Sequence, residues 1–353
     1  MKTKQRDKPY CNVDRQKIKS ANPVLNEKNM GHLLTFIVDR YRVHLRKDVL
    51  QKPAPWTKNP VIAQYKFTNV RREHDRQTRY LIQNISSVPG MSLEDKIVNS
   101  FYFRAWNNWD TMRDLGGPWP SEELYSSQMK DSVRPLFKEL EATNPQRKWW
   151  SSAYNQGGTK HAWKFPKGDG YQRAYKESEA KKYTDWEPDI PLRVFHIGPW
   201  LKKGHVVERL LNAKDQKEAF DVIRSVRGFA DFLAYQVFVD LTYIKEFPFS
   251  ENEFVVAGPG CKKGLDYIFE DLDGMAYEEA LFFLRDNIDQ YFYVLEAGDY
   301  EGPTWKPEKL FQDLPLHDRY MNVMSLENCM CELSKYIRTV EGTGRPRVKY
   351  IYK

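Results

Sequence analysis

What the sequence lacks narrows it first. Only four cysteines occur in 353 residues, at positions 11, 261, 329 and 331, and their spacing is uneven. No disulfide framework is implied, and a reducing cytosolic compartment is the default. Cys329 and Cys331 form a C-x-C pair with no second pair and no histidine ladder, a poor start for a metal site. No apolar run reaches 18 residues, so no membrane span is expected. The opening MKTKQRDKPY has no apolar stretch of the kind a signal peptide carries. No GxxxxGK[ST] loop appears, which excludes P-loop kinase chemistry in this chain. Strand signal is sparse, and no internal repeat or low-complexity tract occurs.

What is present suits a helical protein with a large core. Hydrophobic residues make up 41% and aromatics 14%, with 10 Trp and 21 Tyr. The net charge of +7 favours a polyanionic partner, though many basic enzymes bind no nucleic acid. Apolar spacing predicts helices over 32–47, 93–109, 228–246, 277–295 and 326–339, and another from Ser121 with Glu122 and Glu123 in its first turn. The class expected is mainly α. The expected organisation is a basic flexible arm over 1–28, a helical domain over 29–195, a second over 196–340 and a loosely held basic tail over 341–353.

The densest polar stretch is FTNVRREHDRQTRY, residues 67–80. It gathers Arg71, Arg72, Arg76 and Arg79 with Glu73, Asp75, His74 and Asn69. Read as a helix from Glu73, it puts Arg72, Asp75, Arg76 and Arg79 on one face at i, i+3, i+4 and i+7. Such a face is costly to bury without a ligand or an internal partner, and guanidinium forks suit phosphate and carboxylate alike. An ion-pair network holding two helices together uses the same residues.

A second constellation is FVVAGPGCKKGLDYIF, residues 254–269. An apolar run leads into Gly258-Pro-Gly260, two lysines and an apolar helix. This resembles the helix-hairpin-helix element of DNA glycosylases, in which turn N–H groups and a helix N-terminus face a phosphate. Gly258, Gly260, Lys262 and Lys263 are then the DNA-binding residues, with contacts that position the protein without reading sequence. The bland alternative is a helical corner with two solvated lysines. In glycosylases a catalytic aspartate follows this hairpin by about twenty residues. Here Glu278-Glu279-Ala280 occupies that region, and Asp271 and Asp273 lie too close. Lys262 is placed as a bifunctional lysine would be. Residues 145–172 interleave Trp, Lys, Gly and His without helical period, which suits stacking on a nucleic-acid strand or a long surface loop.

Several stretches together carry a resemblance. PAPWTKNPVIAQYKFTNVRREHDRQTRYLI, NSFYFRAWNN, SSAYNQGGTK, GFADFLAYQVFVDLTY before VVAGPGCKKGL, and LHDRYMNVMSLENCMCELSKYIR appear in order over about residues 30–340. They resemble the alpha-glutamyl/putrescinyl thymine pyrophosphorylase group, also described as amino acid:DNA transferases. That group is similar to the helical domain attached to 5-hydroxymethyluracil DNA kinases.

The resemblance implies a helix-hairpin-helix, glycosylase-like helical fold with long loops and little strand. It implies thymidine hypermodification of phage DNA in the cytoplasm of the infected host. Hydroxymethyluracil in DNA is pyrophosphorylated by a separate kinase, and an amino acid or putrescine then displaces the pyrophosphate. Arginines must offset the leaving charge, for which Arg72, Arg76 and Arg79 are the choice. Glu73 or Asp75 takes the proton of the amine, and Asn69 reads a base edge or orients the clamp. A flipped base would meet Tyr235 or Gln236, with Asp240 one turn along the same helix. Mg2+ commonly accompanies pyrophosphate, but no Asp pair suited to it is evident. Cys261, Cys329 and Cys331 are candidates for covalent assistance at C6 of the pyrimidine. A glycosylase or lyase using Lys262, and a non-catalytic DNA-binding partner of the kinase, are the competing readings.

Overall fold

The computed structural model describes residues 13–126, 128–151, 190–297, 321–344, 346 and 348–350. The protein is mainly helical, as its apolar periodicity predicts. In chain order the main elements are α1 (Arg15–Ser20), β1 (Val24–Leu25), α2 (Glu27–His44), α3 (Pro60–Gln64), α4 (Arg76–Leu81), α5 (Leu93–Trp106), α6 (Trp109–Asp114), α7 (Ser121–Leu124) and α8 (Met129–Thr143). After the next described stretch begins come α9 (Ile197–Lys203), α10 (Val206–Leu211), α11 (Gln216–Ser225), α12 (Asp231–Leu241), α13 (Pro259–Ile268), β2 (Phe269–Asp271), α14 (Tyr277–Ala297) and α15 (Val323–Val340).

The chain forms two compact units, one of Met1–Asp75 with Ser250–Lys353 and the other of Arg76–Phe249. The units thus divide at 75/76 and 249/250, not near residue 195. The first unit is discontinuous because α15 packs against both α13 and α2, so chain from both ends builds one core.

In the first unit α2 begins where Asn26 caps it by accepting from the Asn29 N–H at 3.0 Å. Leu33, Leu34, Ile37 and Tyr41 then fill its buried face. The expected arm is structured from residue 13 onward. Asp14 caps α1, Ile18 is buried and Lys17 pairs with Glu279 at 2.8 Å. Val24–Leu25 pairs antiparallel with Phe269–Asp271 in a two-stranded sheet. The tail is likewise held: the Lys66 N–H donates to the Val348 carbonyl and the Tyr350 N–H to the Gln64 carbonyl, both at 2.9 Å.

In the second unit α5 is buried along almost its whole length, from Lys96 to Trp106. A helix apolar on most sides belongs at a core's centre. Tyr102, Trp106, Trp119 and Phe195 pack as an aromatic cluster. Asn107, with φ 47°, ends α5 in the left-handed conformation that asparagine tolerates. Of the aromatic–basic stretch, only its start is described: Trp149 and Trp150 are buried, and the Trp149 ring packs tilted against Phe137 with centroids 4.6 Å apart. Residues 152–172 lie outside the described residues.

Candidate functional site

The arginine stretch does not form one helix. Residues Arg72–His74 make a single 3-10 turn, Asp75 is extended (φ −69°, ψ 139°), and α4 starts only at Arg76. The break has a local cause. The Asp75 carboxylate accepts from the Asn69 N–H at 3.0 Å, and the Asn69 amide donates to the His74 carbonyl at 2.9 Å. Side chains thus take over the backbone's bonding and close residues 69–75 on themselves, as Asn and Asp commonly do. The shared face of Arg72, Asp75, Arg76 and Arg79 is therefore absent. Arg72 and Asp75 fall in the first unit, and Arg76 and Arg79 in the second.

In the first unit this loop is pinned to α15. Asn328 donates to the Asn69 carbonyl at 2.7 Å, and the Cys329 thiol lies 3.7 Å from the Val70 carbonyl. Arg72, only 7% exposed, reaches Glu327 at 3.5 Å. Glu327 also accepts from the Cys331 thiol at 3.1 Å and from the Gly258 N–H. One buried carboxylate thereby joins the arginine turn to the Gly-Pro-Gly corner. Glu278 lies at the same corner and accepts from the Ala257 N–H at 3.0 Å. Arg71 pairs with Glu73 at 3.1 Å, and the His44 and His74 rings stack at 3.9 Å. Arg40, from α2, donates from Nε to the Phe67 carbonyl at 3.1 Å.

The electrostatics follow from burial. Desolvation raises Asp75, opposed by the Asn69 N–H and by the charges of Arg40 and Arg72. Desolvation likewise raises Glu327, opposed by Arg72, the Cys331 thiol and the Gly258 N–H. Burial also pushes the Cys261, Cys329 and Cys331 thiols up, and Glu327 adds to it. That is opposite to what a thiolate nucleophile needs. Burial thus disfavours the charged form of both carboxyls.

The Gly-Pro-Gly corner differs from the expected hairpin. Residues 254–257 are not helical, Gly258 caps α13 with φ −68°, and Pro259 supplies the preset first turn. Neither Gly258 nor Gly260 has positive φ. The glycines serve packing instead: a Cβ on Gly264 would lie 2.2 Å from the Met330 carbonyl, and one on Gly260 would lie 3.4 Å from the Cys331 sulfur. Lys262 and Lys263 are exposed, with the Lys262 ammonium 5.4 Å from the Tyr277 ring centre. A short helix–turn–helix corner with a left-handed glycine does occur, at Gly228 (φ 89°) between α11 and α12.

In the second unit Arg76 is exposed, pairs with Asp110 at 3.3 Å and lies over the Trp109 ring, and Arg79 is also exposed. Tyr235 and Gln236 are buried in α12. Asp240 is 0% exposed and grips Arg104 of α5 through both carboxylate oxygens. Arg104 also donates to Asn107 at 2.8 Å and to Thr78 at 3.4 Å. Asp240 is thus committed to a structural ion pair.

Sequence reasoning missed Glu327, Arg40 and Arg104. The signal was available. Glu327 shares a buried stripe with Val323, Met330 and Ser334, and Arg40 sits between Phe36, Ile37, Val43 and His44. A charge on an apolar stripe calls for a buried partner. Among the described residues no group of three His, Cys, Asp or Glu side chains is placed to hold a metal ion, and no helix is long and apolar enough to cross a membrane.

Comparison with known proteins fits this helical frame. A 5-hmdU DNA kinase of Bacillus phage SP10 is 26% identical over 312 residues, which cover 85% of this chain and 43% of that relative. The chain therefore spans less than half the length of that relative. No solved structure matches it. The model of the family described as 5-hmdU DNA kinase, helical domain, matches residues 27–345. The chain belongs to that helical-domain family.

Proposed function

We propose that this protein is a transferase that completes a modification of thymine in DNA, replacing the pyrophosphate of 5-(pyrophosphoryloxymethyl)uracil with an amine. The amine nitrogen bonds to the C5 methylene, the C–O bond to pyrophosphate breaks, and the proton lost by nitrogen passes to a carboxylate. The observation that carries this reading is the meeting of Arg72, Glu327 and the Gly258 N–H in one buried polar core. Arg72, held in that core, offsets the charge of the departing diphosphate in this reading. Asp75, a carboxylate of the same loop, is the group that takes the proton in this reading.

Kinship with a domain of a 5-hmdU DNA kinase supports the substrate class, and the lack of a GxxxxGK[ST] loop in this chain favours a step other than P-loop phosphorylation. The hydroxymethyluracil DNA kinase acts before it in this scheme. The exposed Lys262 and Lys263 provide the phosphate contacts in this reading. Exposure of Lys262 counts against a lyase, because a Schiff-base lysine is activated by desolvation or a neighbouring cation.

The test is incubation with DNA carrying 5-(pyrophosphoryloxymethyl)uracil and with candidate amines, followed by nucleoside mass spectrometry. A new amine adduct on an intact nucleoside is expected. Abasic sites would establish the lyase instead, and unchanged DNA that is nevertheless bound would establish a non-catalytic binding partner.

A further inference from the structure

We infer that the first unit carries a second nucleic-acid surface, in which the Trp56 and Tyr350 rings stack on the bases of an unpaired strand while Lys47, Lys66 and Lys349 meet its phosphates. The inference goes beyond the proposed transfer: it uses neither Arg72 nor Glu327, and it assigns a preference for single strand over duplex. It also gives a role to PAPWTKNPVIAQYK, residues 53–66, which the transfer leaves without one.

The surface is assembled from two stretches distant in sequence. The Lys66 N–H donates to the Val348 carbonyl and the Tyr350 N–H to the Gln64 carbonyl, with Tyr65 opposite Lys349. This antiparallel pairing carries Tyr350 to the loop before α3, where its ring meets Trp56 edge to face with centroids 5.4 Å apart. Trp56 is itself held: its indole N–H donates to the Lys52 carbonyl at 2.8 Å, and Arg46 donates to the Trp56 carbonyl at 3.0 Å. The Lys47 ammonium lies 5.4 Å from the Trp56 ring centre and 5.6 Å from that of Tyr350. The Lys66 ammonium lies 5.7 Å from the Tyr350 ring centre, and the Lys349 ammonium 5.5 Å from that of Tyr65. Rings and ammonium groups thus form one continuous patch.

The patch faces solvent and is poor in compensating acid. Lys47, Lys66 and Lys349 are exposed, and the Trp56 and Tyr350 rings are half-buried. From Arg46 to Lys66 the sequence holds five cations and one acid, Asp48, which faces His44 at 3.1 Å. Packing of the tail accounts for the rings but not for the charge. Two ammonium groups share the Tyr350 ring, a crowding of like charges that a nearby anion relieves. Aromatic faces set among cations are how proteins hold unpaired strands, because every base has a π-face and the phosphates follow the positive track. In a duplex those faces are taken up by the stack, and the lysines alone would act. A lipid headgroup layer offers phosphates but no flat partner for rings held in fixed orientation.

The test is fluorescence anisotropy of the whole chain with a labelled, unmodified oligothymidylate, free and in duplex with oligoadenylate. The free strand should bind more tightly than the duplex by roughly tenfold or more. Trp56→Ala and Tyr350→Ala should each weaken strand binding by about tenfold, and Tyr350→Phe, which keeps the ring, should bind like the parent. Lys66→Gln with Lys349→Gln alters only exposed side chains, so it decides the matter even if loss of a ring loosens the tail. That double variant should flatten the slope of log affinity against log salt for the strand by about 1.4 units, one phosphate being met by each lysine. Duplex bound as tightly as strand, equal losses on both, an unchanged slope in the lysine variant, or folded ring variants that bind the strand like the parent would each overturn the surface. So would phosphatidylserine vesicles bound through these residues while the strand is not. Because the oligonucleotide carries no modified base and no amine is added, failure here leaves the transfer standing, and failure of the transfer leaves the surface standing.

Discussion

Arg72 and Glu327 face each other at 3.5 Å, both buried, although one lies in a loop near the start of the chain and the other in its last described helix. Removing one partner of such a pair leaves a charge without compensation. Arg72→Ala is expected to cost roughly 3 kcal/mol in urea unfolding, the low end for a broken buried pair because Glu327 can take up a proton. It should also abolish transfer while sparing DNA affinity. Pairing Arg72→Met with Glu327→Gln should restore most of the stability and none of the transfer. Recovery of turnover in that double variant would show that Arg72 serves the fold alone.

Much of the fold was legible in the sequence, and what was not has a physical reason. The helices around Leu33, Phe101, Ala280 and Met330 follow from apolar periodicity. The arginine stretch misled because i, i+3, i+4 and i+7 spacing describes a helix only if the backbone stays helical. Asn69 and Asp75 capture local N–H and carbonyl groups and break it. The Gly-Pro-Gly corner misled because glycine is used both for turns and for close packing. Only the path of α15 reveals that Gly264 is there to admit Met330. The partner of Arg72 was unreadable for a third reason: Glu327 is remote in sequence, and a single chain offers nothing to link the two.

The buried carboxyl of Glu327 makes stability depend on pH with a definite sign. Its folded pKa is raised, so its contribution is fully present below the unfolded value of about 4.3 and is lost as pH rises through the folded value. Glu327→Gln cannot titrate, and at low pH it resembles the protonated side chain. Thermal melting of the two proteins should therefore coincide near pH 4, and the variant should gain on the parent as pH rises. A gap that stays constant across that range would mean that Glu327 ionises as freely in the folded state as in the unfolded one.

Gly264 and Lys262 lie two residues apart and should behave in opposite ways. A methyl group on Gly264 would meet the Met330 carbonyl at 2.2 Å, a backbone atom that cannot swing aside. Gly264→Ala should therefore push α13 off α15 and cost about 1–3 kcal/mol, as overpacked cores do. Lys262 is exposed, so Lys262→Ala should change stability by no more than about 0.5 kcal/mol. It should instead weaken DNA binding and flatten the salt dependence, by about one unit of slope if it contacts one phosphate. Borohydride trapping on modified DNA should yield no adduct, and a trapped adduct that disappears in Lys262→Ala would revive the lyase.

Asp240 offers the sharpest test in the second unit, because it was expected to line a substrate pocket and is instead fully enclosed around Arg104. A carboxylate that binds substrate can be neutralised at little cost to the fold. A carboxylate that compensates a buried guanidinium cannot, since Arg104 is also tied to Asn107 and Thr78 and has no route to water. Asp240→Asn should therefore cost about 3–5 kcal/mol in equilibrium unfolding. Replacing both partners, Arg104→Met with Asp240→Leu, removes both charges and should recover a large part of that loss, although Asn107 and Thr78 each lose a hydrogen-bond partner. If the double variant folds and still transfers the amine, Asp240 positions α12 against α5 and does nothing to the substrate. If Asp240→Asn unfolds like the parent yet loses transfer, the ion pair is dispensable to the fold and Asp240 belongs to the reaction.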